Sequence, residues 1–371
     1  MISRRDISNI PGWCTSRKLV VIESDDWGST RMPSLDVYRR LERAGLDLSS
    51  GHSYPYNCFD ALATSDDLSC LFELLMSVKG GDGKPAVFTA VSLVANPDFG
   101  KIRDSDFQNY FYEPFTETLA KTPGCEKSFE LWAEGRRLGV FRPQFHGREH
   151  LNVAAWITAL RSGNEEVRVA FDHGVWGFIP SGDFSLPISL QAAFDLVSPD
   201  EVSYQQTVIS DGLNLFERLH GFRASFFVPP NGPFCSELEK VAAENGIRYM
   251  ATAKVHREPG GSGVRNTKIR WLGKRNKYGQ RYMTRNCFFE PSTPGKDWVD
   301  TCLHEIATAF RWRKPAIISS HRVNYIGALE ESNRDHGLLK LRELLDSIIR
   351  RWPETEFVSS DQLGQMIEGE V

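Results

Sequence analysis

Three short clusters hold the side chains best suited to acid–base or metal chemistry. They are the adjacent carboxylates Asp25 and Asp26, the pair His146-x-x-x-His150 within FRPQFHGREH, and His321 within PAIISSHRVNY. Two neutral imidazoles and one carboxylate make a three-ligand set with a position left for water, the pattern of a catalytic zinc site. Of two neighbouring aspartates one can ligate while the other stays free as a base, and a histidine beside them can act as general acid. Spacing limits the options: along one extended strand His146 and His150 would stand about 13 Å apart, so they share an ion only if the chain turns, as it would at a helix start. Each cluster also has a plainer reading, as a turn with a helix cap, as polar residues opening a helix, or as a structural histidine. HGREH further matches H-x-x-E-H, a metalloprotease helix with Glu149 as base. Gly147 and the preceding Pro143 oppose a continuous helix, and that reading leaves Asp25, Asp26 and His321 unused.

What must position these residues is read from hydrophobic patterning. Each cluster directly follows a strand candidate: Lys18–Glu23 (KLVVIE), Gly139–Phe145 and Ala316–Ser319. Further strand candidates are Ala86–Val94, Ala224–Val228, Ile247–Ala251 and Glu356–Ser359. Helical spacing lies between them at Ser34–Ala44, Asp66–Val78, Val153–Arg161, Ser236–Asn245, Asp297–Arg311 and Asp335–Arg350, and Asp361 is the expected cap of a terminal helix. Strands alternating with helices predict βα units and a parallel sheet. About seven such units, with no G-x-G-x-x-G and no P-loop, favour a closed or nearly closed barrel over an open nucleotide-binding sheet. In a parallel barrel the C-terminal strand ends share one mouth, so three clusters remote in sequence would meet there. This predicts one domain over residues 1–371, with its core at about 18–367 and long loop insertions at about 163–199 and 257–294. The basic residues of the second insertion (Lys268, Arg270, Lys274, Arg275, Lys277) read as a solvated loop.

Composition narrows the class of partner. Of the 371 residues 41% are hydrophobic and 25% charged, and 44 basic against 48 acidic side chains give a net charge of −4. That is an ordinary globular mix with no overall basic footprint for nucleic acid or anionic membrane. The seven cysteines form no C-x-x-C and read as reduced thiols. The start, MISRRDISNIPGW, has no apolar run after its arginines, and the most apolar stretch, Pro85–Ala95, is about half a membrane span. The expectation is a soluble cytoplasmic protein.

The order D-D, H-x-x-x-H, H at the ends of successive βα units resembles the polysaccharide deacetylase family (NodB-homology domains, carbohydrate esterase family 4). The resemblance runs from Lys18 to the closing EFVSSDQLGQMI. It implies a (β/α)7 barrel, a TIM-barrel variant, and a divalent metal ion, zinc by preference. It makes Asp25 the general base, Asp26, His146 and His150 the metal ligands, and His321 the general acid of an N-deacetylase acting on a carbohydrate. The chain departs from the family pattern in placing Trp27 after the paired aspartates. In VPPNG, Val228 stands where the family has arginine and Asn231 where it has an aromatic residue, while Arg223 lies five positions earlier. Candidate substrate contacts are Trp27, Arg223, Asn231, Arg322 and Asn324, with Trp176 and Trp298 as further sugar-stacking platforms and Asp172-His173 as a loop that could reach the mouth. A small molecule or oligosaccharide is the expected partner. Two other readings use the same sequence: hydrolysis of a non-sugar C–N bond in an amide or ureide, and a carbohydrate-binding barrel without activity.

Overall fold

The computed structural model describes residues 8–49, 54–180, 188–261 and 263–369. The basic start of the chain through Ile7, and residues 181–187 and 262 of the two expected insertions, lie outside the described residues. The strands of the central sheet, numbered in chain order, are β1 Leu19–Trp27, β2 Phe88–Leu93, β3 Phe141–Gly147, β4 Phe226–Phe227, β5 Tyr249–Ala251, β6 Arg281–Met283, β7 Cys287–Phe288, β8 Ala316–His321 and β9 Glu356–Phe357. All their pairings are parallel, along the path β6-β5-β4-β3-β2-β1-β8-β7, with β9 added to the lower end of β1.

The sheet curls because its ends are tied together. Met283 ends β6 and Cys287 begins β7, a gap the backbone spans in at most about 14 Å. Eight strands laid flat would hold those edges about 33 Å apart. The short connection therefore bends the sheet into a barrel whose first and last strands are joined covalently rather than by a ladder. This is the α/β barrel the alternation predicts. The expected insertion 257–294 is corrected in content: it carries β6, β7 and the ribbon Val255–Pro259/Arg265–Ile269. Nor is its basic cluster all solvated, since Arg270 is buried and donates to Glu239 at 3.2 Å.

Period-two alternation sorts the side chains. On β1, Val20 and Ile22 face outward into the core built with the helices Ser65–Ser77, Ser128–Leu138, Trp298–Arg311 and Glu331–Arg351. Leu19 and Val21 face inward with Val91, Phe226, Met283 and Ile317, where Leu363 and Ile367 of the final helix join them. Helix boundaries follow local chemistry. Ser34 and Asp297 accept from the backbone two or three residues on, as the sequence predicts, whereas the final helix is capped by Ser359 with Gln362 and not by Asp361, which pairs with Arg142 at 3.0 Å. No helix among the described residues is long and apolar enough to cross a membrane.

His220 ends the helix Val202–His220 inside a shell of Phe115, Phe129, Trp132, Phe216 and Phe222. Burial, helped by Arg136, holds its imidazole down at about 3. Folded chains therefore stay neutral there while unfolded chains protonate below about 6.5, so stability falls as pH drops through that window, by up to about 1.4 kcal/mol per unit. In His220→Phe the stability advantage over the parent should widen by about 2 kcal/mol between pH 7.5 and pH 5. Urea midpoints at the two pH values measure it, and parallel midpoints would contradict it.

Candidate metal centre and active-site mouth

Two backbone irregularities aim the predicted residues. Strict alternation would send Asp25 and Asp26 to opposite faces of β1. Asp26 instead has φ of +74°, and the β1–β2 register slips between Ser24 and Trp27. The bulge turns both carboxylates into the mouth, where both line the cavity. A second slip, on β2–β3, falls where Phe145 and Gly147 face Ser92 and Leu93, leaving His146 as the extra residue. Asp25, Asp26, His146 and His321 thus sit in the last residues of their strands rather than just beyond them, and His150 alone lies past its strand end. His146 and His150 converge through a bend, not a helix, because the next helix starts only at Val153, capped by Asn152.

His146 Nε2 and His150 Nε2 each lie 3.3 Å from Asp26 Oδ1. The three ligand atoms are within 4.8 Å of one another and all three residues are buried. Asp26 Oδ1 has no hydrogen-bond partner. His146 Nδ1 is 2.7 Å from the carbonyl of Val228. A carbonyl only accepts, so Nδ1 carries the hydrogen and Nε2 presents a lone pair. Burial holds His150 down at about 4 despite Asp26, so this imidazole is neutral near pH 7. Burial alone would raise the Asp26 carboxyl, but His150, His146 and Arg31 keep it well below the usual range. Three electron-pair donors thus face one point. A tetrahedral shell with bonds of about 2.0–2.1 Å has ligand–ligand edges of about 3.3 Å, so these residues fit a divalent cation of zinc's size.

Asp25 and His321 are register partners on β1 and β8. Arg285, between β6 and β7, clamps Asp25 in two hydrogen bonds of 2.7 and 2.6 Å and reaches Glu23 at 2.6 Å. Burial pushes the Asp25 carboxyl up, but Arg285, His146 and His321 together outweigh it and hold the group ionised. His321 Nε2 is 3.9 Å from Asp25 Oδ2, and its Nδ1 is 2.7 Å from Glu290 Oε1. Burial lowers the imidazole, yet Glu290, Asp25 and Asp26 raise it to about 9. Packing supports this pair: Asn324 donates to Glu290 at 2.7 Å, and a Cβ at Gly337 would overlap the Asn324 carbonyl.

The cavity is about 720 Å³ and is bordered by Asp25, Asp26, His146, His150, Arg285 and His321 together with Arg31, Tyr56 and apolar Ile179, Val228 and Phe288. Among the expected substrate contacts only Asn231 borders it. Trp27 is buried in the outer core against Trp132 and Phe141, its N–H donated to Ser24. Arg223 pairs with Glu217 on the exterior, with 65% of its side chain exposed. Arg322 is fully buried and donates to Asp60 and to the Ser29 carbonyl. Asn324 is also fully buried and supports Glu290 rather than meeting solvent. Trp176 is buried behind His150 and Trp298 lies outside the mouth, so neither offers a platform there. Asp172 pairs with Arg103 at the surface, and His173 bonds within its own helix end. Glu149 is buried in a two-hydrogen-bond pair with Arg148, and H-x-x-E-H spans a strand end and a bend, which removes the helical metalloprotease reading.

Arg285, Glu290, Arg31 and Tyr56 were missed. Arg285 and Glu290 obey the rule that exposed the other residues: each follows a barrel strand within two residues. Those strands, RYM and CF, are three and two residues long, too short for a periodic signal. The run CFF before Glu290-Pro291 was the available clue.

No family model and no curated protein matches the chain. Solved structures similar to it include PuuE allantoinase (10% identity, 95% of this chain and 91% of that one, TM-score 0.45). Another is the peptidoglycan deacetylase PdaC of Bacillus subtilis (10%, 95% and 93%, 0.36). A third is the CE4 domain of a xylanase from the hindgut metagenome of Trinervitermes trinervoides (10%, 95% and 92%, 0.39). At this distance the chemistry rests on the mouth itself.

Proposed function

We propose that the chain is a metal-dependent hydrolase that removes an N-acyl group, acetyl in the first instance, from an amine, with an N-acetylated carbohydrate as the first substrate class. The observation that carries this is the pairing of a lone-pair triad (Asp26, His146, His150) with an ionised Asp25 and a raised His321 across one mouth. A zinc-like ion held by the triad would polarise the acyl carbonyl and lower the pKa of water. Asp25, kept ionised by Arg285, takes the proton as water adds to the acyl carbon. His321, charged near neutral pH, gives a proton to the departing nitrogen, and Glu290 orients it and balances its charge. Apolar Ile179, Val228 and Phe288 line the same cavity and offer apolar contact to the acyl group or its carrier.

A non-sugar amide is the second reading. One observation favours it: none of Trp27, Trp176 and Trp298 borders the cavity. Acyl release from a panel of N-acetylated sugars, oligosaccharides and small amides, with and without a chelator, tests both. Chelator-sensitive release from any of them supports hydrolysis and the panel names the class; no release from any substrate contradicts the proposal.

Glu290 supplies a pH prediction. A general acid must be protonated to act, so kcat/KM falls as pH rises through the His321 value. Glu290→Gln removes the main raising charge and should move that basic limb down by about 1–2 pH units. Profiles of kcat/KM against pH check it, and an unmoved basic limb would deny His321 the acid role.

A further inference from the structure

Arg31 is 6% exposed, yet it borders the mouth beside the triad. Its Nη2 lies 3.6 Å from Asp26 Oδ2 and its Nε 3.7 Å from Asp60 Oδ2, and neither Nε nor Nη1 has a hydrogen-bond partner. Asp60 spends its other oxygen on Arg322, which donates from Nε at 3.0 Å and Nη2 at 2.8 Å. Two buried carboxylates thus alternate with two buried guanidinium groups, Asp26, Arg31, Asp60, Arg322. The position of Arg31 is enforced by packing: the Trp176 ring lies 4.8 Å and the Tyr56 ring 5.7 Å from its guanidinium carbon, and a Cβ on Gly177 would come within 2.6 Å of Nη1.

Charge balance in this corner holds only while Asp26 is free to face Arg31. A cation held by the triad claims the Asp26 charge. Arg31 is then left with Asp60, which Arg322 already occupies, so two guanidinium groups share one carboxylate. An uncompensated buried charge is costly. Nε and Nη1 are themselves closed off, so Nη2, next to Asp26 Oδ2, is the donor left to meet an anionic oxygen in the cavity.

We propose that Arg31 is a further catalytic residue, which takes the negative charge that develops on the acyl oxygen and then holds the carboxylate product. This rests on the amide-hydrolysis reading above. In the step concerned, water oxygen bonds to the acyl carbon, its proton passes to Asp25, and the carbonyl π pair moves onto oxygen beside Arg31. On collapse that pair re-forms C=O, the C–N bond breaks, and nitrogen takes a proton from His321. The product acid loses its remaining proton to solvent, and Arg31 keeps all of its own.

The proposal predicts opposite signs for two measurements. Arg31 is a fixed cation near a metal ligand, so its removal should leave zinc affinity unchanged or tighter. A residue that merely ordered Asp26 would, on removal, weaken it. In full-length Arg31→Gln, kcat should fall about 10²–10³-fold with little change in KM, and acetate should inhibit at least about tenfold less well, with part of each effect restored in Arg31→Lys. Zinc affinity is read by competition with a chromophoric chelator, and acetate binding by the visible spectrum of the cobalt-loaded protein. Zinc affinity that falls in step with kcat, or acetate bound by Arg31→Gln as tightly as by the parent, overturns the proposal. Should the parent hydrolyse no amide while acetate binding is still lost in Arg31→Gln, the hydrolase reading fails and the anion subsite stands.

Discussion

Asp25→Asn should lower kcat by about 10²–10⁴-fold, the loss expected for a general base, while the chain should still fold and still bind one divalent ion. Asparagine keeps the shape of the side chain but cannot take a proton. The change is tolerable because Arg285 retains Glu23 at 2.6 Å and Ser319 at 3.0 Å, so its guanidinium is not left bare. The cost is about 1–3 kcal/mol for the weakened charge-assisted hydrogen bonds. Kinetics and elemental analysis on the same preparation check the result. Because Asp25 and Asp26 both enter the mouth through one bulge, the roles could be exchanged in principle, and metal content decides it. Loss of the ion from Asp25→Asn would make Asp25 the ligand.

His150→Ala acts on the other half of the site. It would remove one of the three proposed ligands, so affinity for zinc should fall by far more than the 10–100-fold that loss of an outer-shell partner costs. The metal-free variant loses the packing of the buried ring against Trp176 and its contact with Asp26, so each protein's own metal-free melting temperature is the reference. An ion held by the folded chain and not by the unfolded one raises stability, so zinc should raise the melting temperature of the parent and leave that of His150→Ala unmoved at the same concentration. An equal zinc-induced rise in both proteins would remove His150 from the ligand set.

The sequence was informative where the signal is long and uninformative where it is short or compensated. KLVVIE is β-branched and buried on both faces, so β1 was legible, and with it the carboxylates at its end. The period-two rule could not reveal that Asp25 and Asp26 both face the mouth, because that depends on a positive φ at Asp26 and a slipped register. His146 and His150 were legible as a pair, though not as a strand end and a bend. The arginine expected near Val228 was sought at Arg223 and comes instead from Arg285, across the barrel seam. Arg and Glu in a basic, glycine-rich stretch read as solvent-facing by composition, and only the pairing of two very short strands brings them inside. Trp27 and Trp176 are no platforms for a common reason: large rings bury area first. Trp27 packs behind β1 and Trp176 behind His150, so each supports the site without reaching its cavity.

Asp26, His146 and His150 are proposed to hold one catalytic divalent ion beside Asp25. Elemental analysis of the parent, Asp25→Asn and His150→Ala, each purified without added chelator and assayed for amide hydrolysis, tests it most directly. One ion per chain is expected in the parent and in Asp25→Asn, almost none in His150→Ala, and activity in the parent alone. Equal metal content in the parent and His150→Ala, or full activity in a parent stripped of its ion, would contradict it.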